Sequence, residues 1–363
     1  MLRVAALAAI YVRASAACAT DDDCALNGAC VSSACACSPG WAGPACGTLK
    51  LAPAPLDGGY HVENVSSWGG APLVDAAGLY HMWTAEFVNH CGLASWHTNS
   101  RVVHATSSSP VGPYVFSDEV IAFYSHNPSV AVTDSGSLIL MHIGGGVPDP
   151  SGPVLTGRNG STSTNYTACA AAPAARAASA SSNIGTLCAD DFAGPWFSCD
   201  WTGTATGFTN PTLFATGNGG LLVGGNRNYS LALTHGTNCS RTACVSWTAP
   251  VNVLPNRTGE DPWVWRDAND HWHALLHDMS PDLPAGRHAF SRDGVAWSIS
   301  TDLAYDGNVT FEDGSRVAFS KRERPHLLLD PRTRAPRALS TGVMQFSEHV
   351  DDHSWTLVQA VLP

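Results

Sequence analysis

The chain has 363 residues, enough for a large core plus a small extra module. Charged residues make up 13% of the chain and the net charge is −11, whereas soluble proteins usually contain about 25% charged residues. An acidic chain with so few charges is a poor candidate for binding nucleic acid or an anionic membrane. The 34 glycines, 23 prolines and 12 tryptophans favour turns and short strands over long helices.

The N-terminus predicts a secretory signal peptide over residues 1–17. Arg3 precedes a short apolar run, Val4 to Val12, and Ala14-Ser15-Ala16 supplies a small-residue cleavage site. The run is too short to cross a bilayer, and no later stretch reaches the roughly 18 apolar residues that a span needs. The alternative interpretation is a buried first helix. We therefore expect a secreted, extracellular protein without a membrane span.

Two further features indicate export. The chain has 12 cysteines, an even number, as is typical of an oxidising compartment. N-x-S/T sequons occur seven times, which predicts a glycosylated surface. These sequons begin at Asn64, Asn159, Asn165, Asn228, Asn238, Asn256 and Asn308.

Residues 18–46 predict a small module stapled by disulfides. The stretch CATDDDCALNGACVSSACACSPGWAGPAC holds six cysteines, and a segment this short buries too little apolar surface to fold without covalent links. The cysteine spacing and the glycine-aromatic-x-glycine turn before the last cysteine resemble the EGF-like domain. That resemblance implies the pairs Cys18–Cys30, Cys24–Cys35 and Cys37–Cys46. It also argues against calcium binding, because an acid-rich segment before the first cysteine is missing.

Two segments look irregular. Residues 47–58 are rich in Pro, Gly and Ala and predict a linker. Residues from about 145 to 200 include the run ACAAAPAARAASASS and predict a long, low-complexity surface loop. The cysteines outside the EGF-like module leave their pairing open. Proximity suggests Cys188–Cys199 and Cys239–Cys244, which would leave Cys91–Cys169.

Residues 59–363 repeat one pattern five times. Each copy has a polar residue, a proline, a short β-type run, a Gly/Asp/Asn turn and a second apolar run, which together predict a strand, a tight turn and its partner strand. Proline is tolerated at the first residue of a strand because no ladder donor is needed there. The copies are led by Pro72, Pro128, Pro211, Pro262 and Pro325.

The spacing of these copies predicts the fold. The leading prolines are 51 to 83 residues apart, which leaves room for about four strands each, the content of one propeller blade. We therefore predict an all-β protein in which a five-bladed β-propeller follows the EGF-like domain. The alternative is a β-sandwich, but a sandwich gives no reason for every unit to restart with a proline-led strand.

The propeller fold brings residues that are distant in sequence to one place. The innermost strand of each blade begins beside the central axis, so the residues around each proline should converge on one funnel. Several of them suit sugar binding, since they offer neutral or charged hydrogen-bonding groups. We predict a substrate-binding set of His126, Asn127, Asn210 and Arg324, with Trp68 and His90 flanking the mouth.

The repeats resemble the five-bladed propeller glycosidases around glycoside hydrolase family 43 and the related invertase-like enzymes, over about residues 68–343. In that family an acid before the blade-one proline is the general base, and another acid, before the blade-three proline, has a pKa-tuning role and orients the sugar. A glutamate in a Glu-Gly-Pro-like motif of blade four is the general acid. The resemblance implies Glu260, in Glu260-Asp261-Pro262, as the acid. The other two positions fall on Ala71 and Asn210, so two of the three carboxylates are absent.

A rearranged pair of carboxylates would restore the chemistry, because glycoside hydrolysis normally uses two. Glu323 occupies the equivalent place in blade five and Asp261 adjoins Glu260. Carboxylates clustered in one funnel raise the pKa of one of them, as a general acid requires. We therefore predict Glu260, Glu323 and Asp261 as catalytic residues. The structural alternatives are amide capping for Asp261 and an ion pair of Glu323 with Arg322, Arg324 or Arg101.

Metal-binding motifs are not evident. His271 and His273 share one strand face, His277 lies further along, and His349 and His353 form an H-x3-H pair, but none has the spacing of a zinc motif. We expect no metal and no cofactor.

Three functions are compatible with the sequence. The leading hypothesis is a secreted glycosidase acting on an oligo- or polysaccharide, with Glu260 as proton donor. The second is a carbohydrate-binding propeller without catalysis. The third is an extracellular interaction module that binds protein partners through the EGF-like domain and the propeller rim.

Overall fold

The structure is a computed structural model that describes residues 17–88, 90–122, 125–144, 184–202, 208–216, 219–225, 231–253, 259–279, 284–347 and 350–363. The predicted signal peptide lies almost entirely outside these residues. So do Cys169, His349 and four sequon asparagines, Asn159, Asn165, Asn228 and Asn256. The described part is all-β apart from two 3-10 turns, Asp21–Cys24 and Leu93–Ser95, and one short helix, α1 (Trp96–Asn99).

The N-terminal module consists of two small hairpins. Strand β1 (Gly28–Val31) pairs with β2 (Ala34–Cys37), and β3 (Trp41–Ala42) pairs with β4 (Thr48–Leu49), all antiparallel. Its disulfides join Cys18 to Cys30, Cys24 to Cys35 and Cys37 to Cys46. These are the three pairs that the EGF-like resemblance implies.

This module is docked on the propeller. The indole of Trp41 stacks on Trp265 with ring centroids 6.5 Å apart. The buried amide of Asn27 lies 3.2 Å from Nδ1 of His288 and donates to the Cys46 carbonyl at 3.2 Å. Cysteines of the module share one apolar cluster with Trp265 and Val361 of the propeller. A module with little core of its own thus gains apolar burial from its neighbour.

The segment predicted as a linker, residues 47–58, is ordered against the propeller. Leu51 forms a β-bridge with Val361, and the Ala54 amide donates to the Thr310 carbonyl at 2.8 Å. Tyr60 then pairs with Thr356 on the last strand of the chain. These contacts satisfy backbone groups that an open sheet edge would leave unpaired. They also tie the segment before blade one to blade five, which closes the ring.

Five antiparallel sheets form the blades. Blade one contains β5 (Ser67–Val74), β6 (Tyr80–Phe87), β7 (Ser100–Ser107) and β8 (Val115–Ile121). Blade two contains β9 (His126–Val132), β10 (Leu138–Ile143), β11 (Ile184–Ala189) and β12 (Phe197–Ser198). Blade three contains β13 (Thr209–Ala215), β14 (Gly219–Gly225), β15 (Leu231–Cys239), β16 (Cys244–Trp247) and β17 (Val251–Asn252).

Blade four contains β18 (Gly259–Arg266), β19 (Trp272–Asp278), β20 (Ala285–Ser291) and β21 (Ser298–Tyr305). A separate hairpin, β22 (Asn308–Thr310) with β23 (Arg316–Ala318), follows it. Blade five contains β24 (Lys321–Leu329), β25 (Pro336–Met344) and β26 (Ser354–Ala360). The predicted all-β class with a five-bladed propeller is therefore confirmed.

The predicted loop over residues 145–200 is too long. Its last part forms β11 and β12, the two outer strands of blade two. These strands were missed because the low-complexity sequence runs up to the start of β11 and was taken to continue through both strands. Disulfides join Cys188 to Cys199 and Cys239 to Cys244, as proximity suggested. Cys91 is disulfide-bonded as well.

The core lies between blades that pack face to face. All six residues of β10, LILMHI, are buried, because a strand covered by neighbouring blades on both faces has no solvent side. Between blades one and two, Trp83 packs with Val130, Leu140 and Ala189. These contacts fix the positions at which the inner strands begin.

Two surface features bear on export. No helix in the described part of the chain has the length and apolar character needed to cross a membrane. Three sequon asparagines lie within the described ranges, and all three are exposed: Asn64, Asn238 and Asn308.

Candidate functional site in the axial funnel

One residue near the start of each inner strand has a left-handed backbone. The φ angles of these five residues lie between +48° and +58°, and each falls where the first strand of its blade slips register against the second. The same bulge therefore occurs in every blade and aligns the five blades at the axis. The residues are Gly69, Asn127, Asn210, Asp261 and Arg324.

This bulge corrects the alignment of blade one. In the other four blades the left-handed residue directly precedes the proline, but in blade one it is Gly69, three residues before Pro72. The funnel position is thus Trp68-Gly69, not Gly70-Ala71, and Ala71 packs in the core. Alignment of the blades by their leading prolines is wrong for blade one, because the bulge sets the register between the first and second strands of each blade. The corrected position also has no carboxylate.

The residues preceding these five form what we call the funnel ring: Trp68, His126, Thr209, Glu260 and Glu323. In blades one and two the ring is buried, since Trp68 and His126 are only 3% and 2% exposed. In blades three to five Thr209, Glu260 and Glu323 remain partly exposed. The accessible side of the funnel therefore lies beside blades three, four and five.

Two asparagine amides hold Glu260 in place. Asn127 Nδ2 donates to Asn210 Oδ1 at 2.6 Å, and Asn210 Nδ2 donates to Glu260 Oε1 at 2.9 Å. These two hydrogen bonds link blades two, three and four. Because Oε1 of Glu260 accepts this bond, a proton on that carboxyl group belongs on Oε2.

Arg324 crosses the axis and joins three blades. Its Nη1 lies 3.3 Å from Asp261 Oδ1, and its Nη2 donates to the Pro128 carbonyl at 3.3 Å. Both partners of the ion pair are buried, with side chains 2% and 3% exposed. A Cβ atom on Gly69 would lie only 2.6 Å from the Arg324 side chain. Asp261 thus ion-pairs with arginine, whereas the sequence suggested amide capping, and the Arg324 guanidinium is engaged by the protein itself.

Glu260 is held in its protonated form at neutral pH. Burial raises its pKa, the negative charges of Asp261 and Glu323 raise it further, and Arg324 and Lys321 oppose this only in part, so the pKa is about 8. Lys321 Nζ lies 3.5 Å from Glu323 Oε1. The funnel therefore contains two opposite-charge pairs and one carboxyl group that keeps its proton.

Two neighbours of the site were not predicted from sequence. Lys321, two residues before Glu323 on β24, could have been found because alternate residues share one strand face. Trp96 on α1 packs against His126 with ring centroids 5.4 Å apart, a contact without a local sequence signal. His277, whose place at the end of the second blade-four strand suggested that it could face the axis, lies opposite Glu260 in the β18–β19 ladder and is 8% exposed.

The other predicted residues are accounted for as follows. Glu323 pairs with Lys321, whereas the sequence offered Arg322, Arg324 or Arg101. Arg322 instead donates to the Asp306 carbonyl at 2.8 Å. His90 lies in the β6–β7 connection with a left-handed backbone, and no contact with the funnel side chains is found for it within the described ranges.

Three groups of side chains bring metal-ligand atoms within 4.8 Å of one another in the described residues. Cys18, Cys24 and Cys35 are all in disulfides. In the group of Glu260, Asp261 and His277, Asp261 is bound to Arg324 and Glu260 carries a proton, which favours a proton donor over a cation site. The third group is Asp267, His271 and His273, at the other end of blade four.

Comparisons with known proteins agree with this architecture. The family model of the teneurin-like EGF domain matches residues 20–48. A comparison with curated protein sequences finds no match. The similar solved structures, by contrast, are glycoside hydrolases.

One is Zg3597, a family 117 glycoside hydrolase of the marine bacterium Zobellia galactanivorans, at TM-score 0.54 and 10% identity over 86% of this chain and 89% of that one. The α-L-arabinofuranosidase PaAbf62A of Podospora anserina matches at 0.54 and 10% over 87% and 96%. A GH43_1 enzyme of Xanthomonas citri matches at 0.54 and 11% over 86% and 91%. The chain is thus an EGF-like module followed by a five-bladed propeller whose structural neighbours are glycoside hydrolases. Identity this low shows a shared fold alone.

Proposed function

We propose that this protein hydrolyses a glycosidic bond in the axial funnel, with Glu260 as general acid and Glu323 as the second carboxylate. The observation that carries the proposal is the pKa of Glu260, about 8. A general acid must still hold its proton at the working pH, and enzymes achieve this by burying one carboxyl group beside other acids. Glycoside hydrolysis needs such a group to protonate the leaving oxygen.

Glu323 suits the second role better than Asp261 does. Glu323 is on the accessible side of the funnel, and Lys321 Nζ lies 3.5 Å from its Oε1. Asp261 is buried and bound to Arg324, so it supports the site by raising the pKa of Glu260. A base or nucleophile in this funnel is therefore Glu323.

The substrate class we propose is an oligo- or polysaccharide. Thr209, Lys321 and the two glutamates offer hydrogen-bonding groups on the accessible side, as a sugar with many hydroxyls requires. The similar structures include an arabinofuranosidase and other glycoside hydrolases. The EGF-like module and the disulfides support an extracellular location.

The second candidate function is carbohydrate binding without hydrolysis. The specific observation in its favour is that two funnel positions, Trp68-Gly69 in blade one and Asn210 in blade three, carry no carboxylate. Such a protein would keep the polar funnel but release no product.

The test compares the purified full chain with Glu260→Gln and Glu323→Gln on a panel of aryl glycosides and polysaccharides. We expect Glu260→Gln to lower kcat by about 10²–10⁴-fold, the usual contribution of a general acid. The rate of the wild-type chain should fall as pH rises through about 8, because Glu260 then loses its proton. Glu312→Gln, an exposed change outside the funnel, is the matched control.

The outcomes separate the two functions. Hydrolysis that survives Glu260→Gln would refute the assignment of the acid. Glycan binding without turnover by the wild-type chain would favour the binding protein instead.

A further inference from the structure

A cluster of metal-ligand atoms lies at the turn between β18 and β19, at the opposite end of these strands from Glu260. Oδ2 of Asp267 is 3.3 Å from Nδ1 of His271 and 3.5 Å from Nε2 of His273. The donor atoms of all three lie within 4.8 Å of one another. His273 is fully buried, whereas Asp267 and His271 are about one-fifth exposed, at 21% and 22%.

Local hydrogen bonding leaves these atoms available. Asp267 uses Oδ1 to accept the backbone amides of Asn269 at 2.9 Å and His271 at 2.8 Å, which forms the turn. Its Oδ2 is left to face the two rings. Nδ1 of His271 and Nε2 of His273 are buried and form no hydrogen bond to any group outside this cluster, so two ring nitrogens and one carboxylate oxygen converge at 3.3 and 3.5 Å.

Blade one contains the same turn without the third ligand. Leu79 donates its amide to Asp75 Oδ1 at 2.8 Å, as His271 does to Asp267. His81 and His104 stack as His273 and His288 do, with ring nitrogens 2.9 Å apart in both pairs.

The two turns differ in the residue between the acid and the buried histidine. In blade one, Nε2 of His81 lies 3.4 Å from Asp75 Oδ2, and the intervening residue is Leu79. In blade four, Nε2 of His273 lies 3.5 Å from Asp267 Oδ2, and His271 adds a second ring nitrogen 3.3 Å from the same oxygen. Only blade four therefore brings three metal-ligand groups together in this turn.

We propose that Asp267, His271 and His273 bind one zinc ion or a similar divalent transition metal. Imidazole nitrogens with one carboxylate are ligands of zinc, cobalt, nickel and copper, whereas calcium and magnesium prefer oxygen alone. Ligands about 2.1 Å from a tetrahedral zinc lie about 3.4 Å from each other. The distances of 3.3 and 3.5 Å from the two ring nitrogens to Asp267 Oδ2 match this ligand–ligand distance. Water completes the shell from the exposed side.

The buried ring of His288 occupies the outer-shell place beside His273 that a carboxylate, a backbone carbonyl or water usually fills. Nδ1 of His273 lies 2.9 Å from Nε2 of His288, and Nδ1 of His288 lies 3.2 Å from Asn27 Nδ2 in the EGF-like module. With metal on Nε2, His273 donates from Nδ1 to His288. His288 then carries its proton on Nδ1, which requires Asn27 to turn its amide oxygen to that ring. Metal at this site is therefore coupled to the docked EGF-like module.

The test is calorimetric titration of the untagged, chelator-treated full chain with zinc. We expect one zinc per chain, and we expect His271→Leu to weaken binding by more than the roughly 10–100-fold that loss of an outer-shell partner costs. Leucine occupies the equivalent position in blade one, so this variant should fold, which an unchanged circular dichroism spectrum would verify. His61→Leu removes an exposed histidine elsewhere and is the matched control.

A gain-of-site variant sharpens the test. Leu79→His places a second imidazole beside Asp75 and His81, and we expect this chain to bind two zinc ions. Cobalt in the wild-type site should give the absorption of a four-coordinate nitrogen and oxygen complex. Absence of zinc binding by the wild-type chain, or equal binding by His271→Leu, would overturn the proposal. So would a Leu79→His chain that binds only one ion.

Discussion

Replacing Arg324 with Met should destabilise the native state by about 3–5 kcal/mol, the usual cost of leaving a buried charge without its partner. Arg324 and Asp261 are almost completely buried, and their nearest charged atoms are 3.3 Å apart. Without the guanidinium, Asp261 must remain charged and unpaired or take up a proton, and both are unfavourable at neutral pH. Blades two, four and five also lose the side chain that joins them.

The fold supplies a matched second variant for this experiment. Asp261→Asn places asparagine at φ +54°, and asparagine already occupies the equivalent left-handed position in blades two and three. Asp261→Asn alone should also destabilise the protein, because it leaves the guanidinium unpaired. The double variant should be more stable than the sum of the two losses predicts. Chemical denaturation with intact disulfides measures all four chains. Strictly additive losses would show that the pair does not interact.

Glu260→Gln should stabilise the protein by about 3 kcal/mol at pH 7, even though it removes the proposed acid. The pKa of Glu260 rises from 4.5 to about 8 on folding. At a pH between these two pKa values, the native state therefore keeps a proton on Glu260 that the unfolded chain has released. The free energy of unfolding of the wild type thus decreases with pH across this window, by about 1.4 kcal/mol per unit. Glutamine does not ionise, so the free energy of unfolding of Glu260→Gln does not decrease across this pH window for this reason.

The measurement is the stability of both chains from pH 4 to pH 9. Below pH 4.5 the advantage of Glu260→Gln should vanish, because Glu260 is then protonated in both states. Glu323→Gln is the informative control, since loss of that charge lowers the pKa of Glu260 and should move the window towards acid. Parallel stability profiles for wild type and Glu260→Gln would contradict a raised pKa.

Both predictions follow from the arrangement of charged groups in the funnel. Arg324 pairs with Asp261 and Lys321 pairs with Glu323, so the two cations only partly offset the burial and the negative charges that raise the pKa of Glu260. Keeping a proton on Glu260 costs stability above its ordinary pKa, and this cost is the expected signature of a functional carboxyl group.

Local sequence patterns were sufficient for several elements. The resemblance of the cysteine-rich segment to the EGF-like domain implied the three disulfide pairs that the structure contains. The proline-led strands predicted five blades because each hairpin is a local structure. The strands β11 and β12 were missed because the low-complexity run was taken to extend to residue 200, past the turn signal at Gly194-Pro195.

The funnel was predicted only in outline. Residues around the prolines do converge, since Asn210 forms hydrogen bonds with both Asn127 and Glu260, and Arg324 forms an ion pair with Asp261. Blade one was misaligned by two residues, because the bulge at Gly69 is a feature of strand pairing that the local amino-acid sequence does not reveal.

What the sequence determined by itself is local: the disulfide module, the repeated hairpins and the presence of a carboxyl group, Glu260, before the blade-four proline. The tertiary structure alone decided which charges surround that acid. Arg324 is 63 residues from Asp261 along the chain, and Asn127 is 83 residues from Asn210. Such pairs form only when closure of the ring brings blades two to five to one axis. The physical reason is that burial and charge at short range set a pKa, and neither can be read from spacing along the chain.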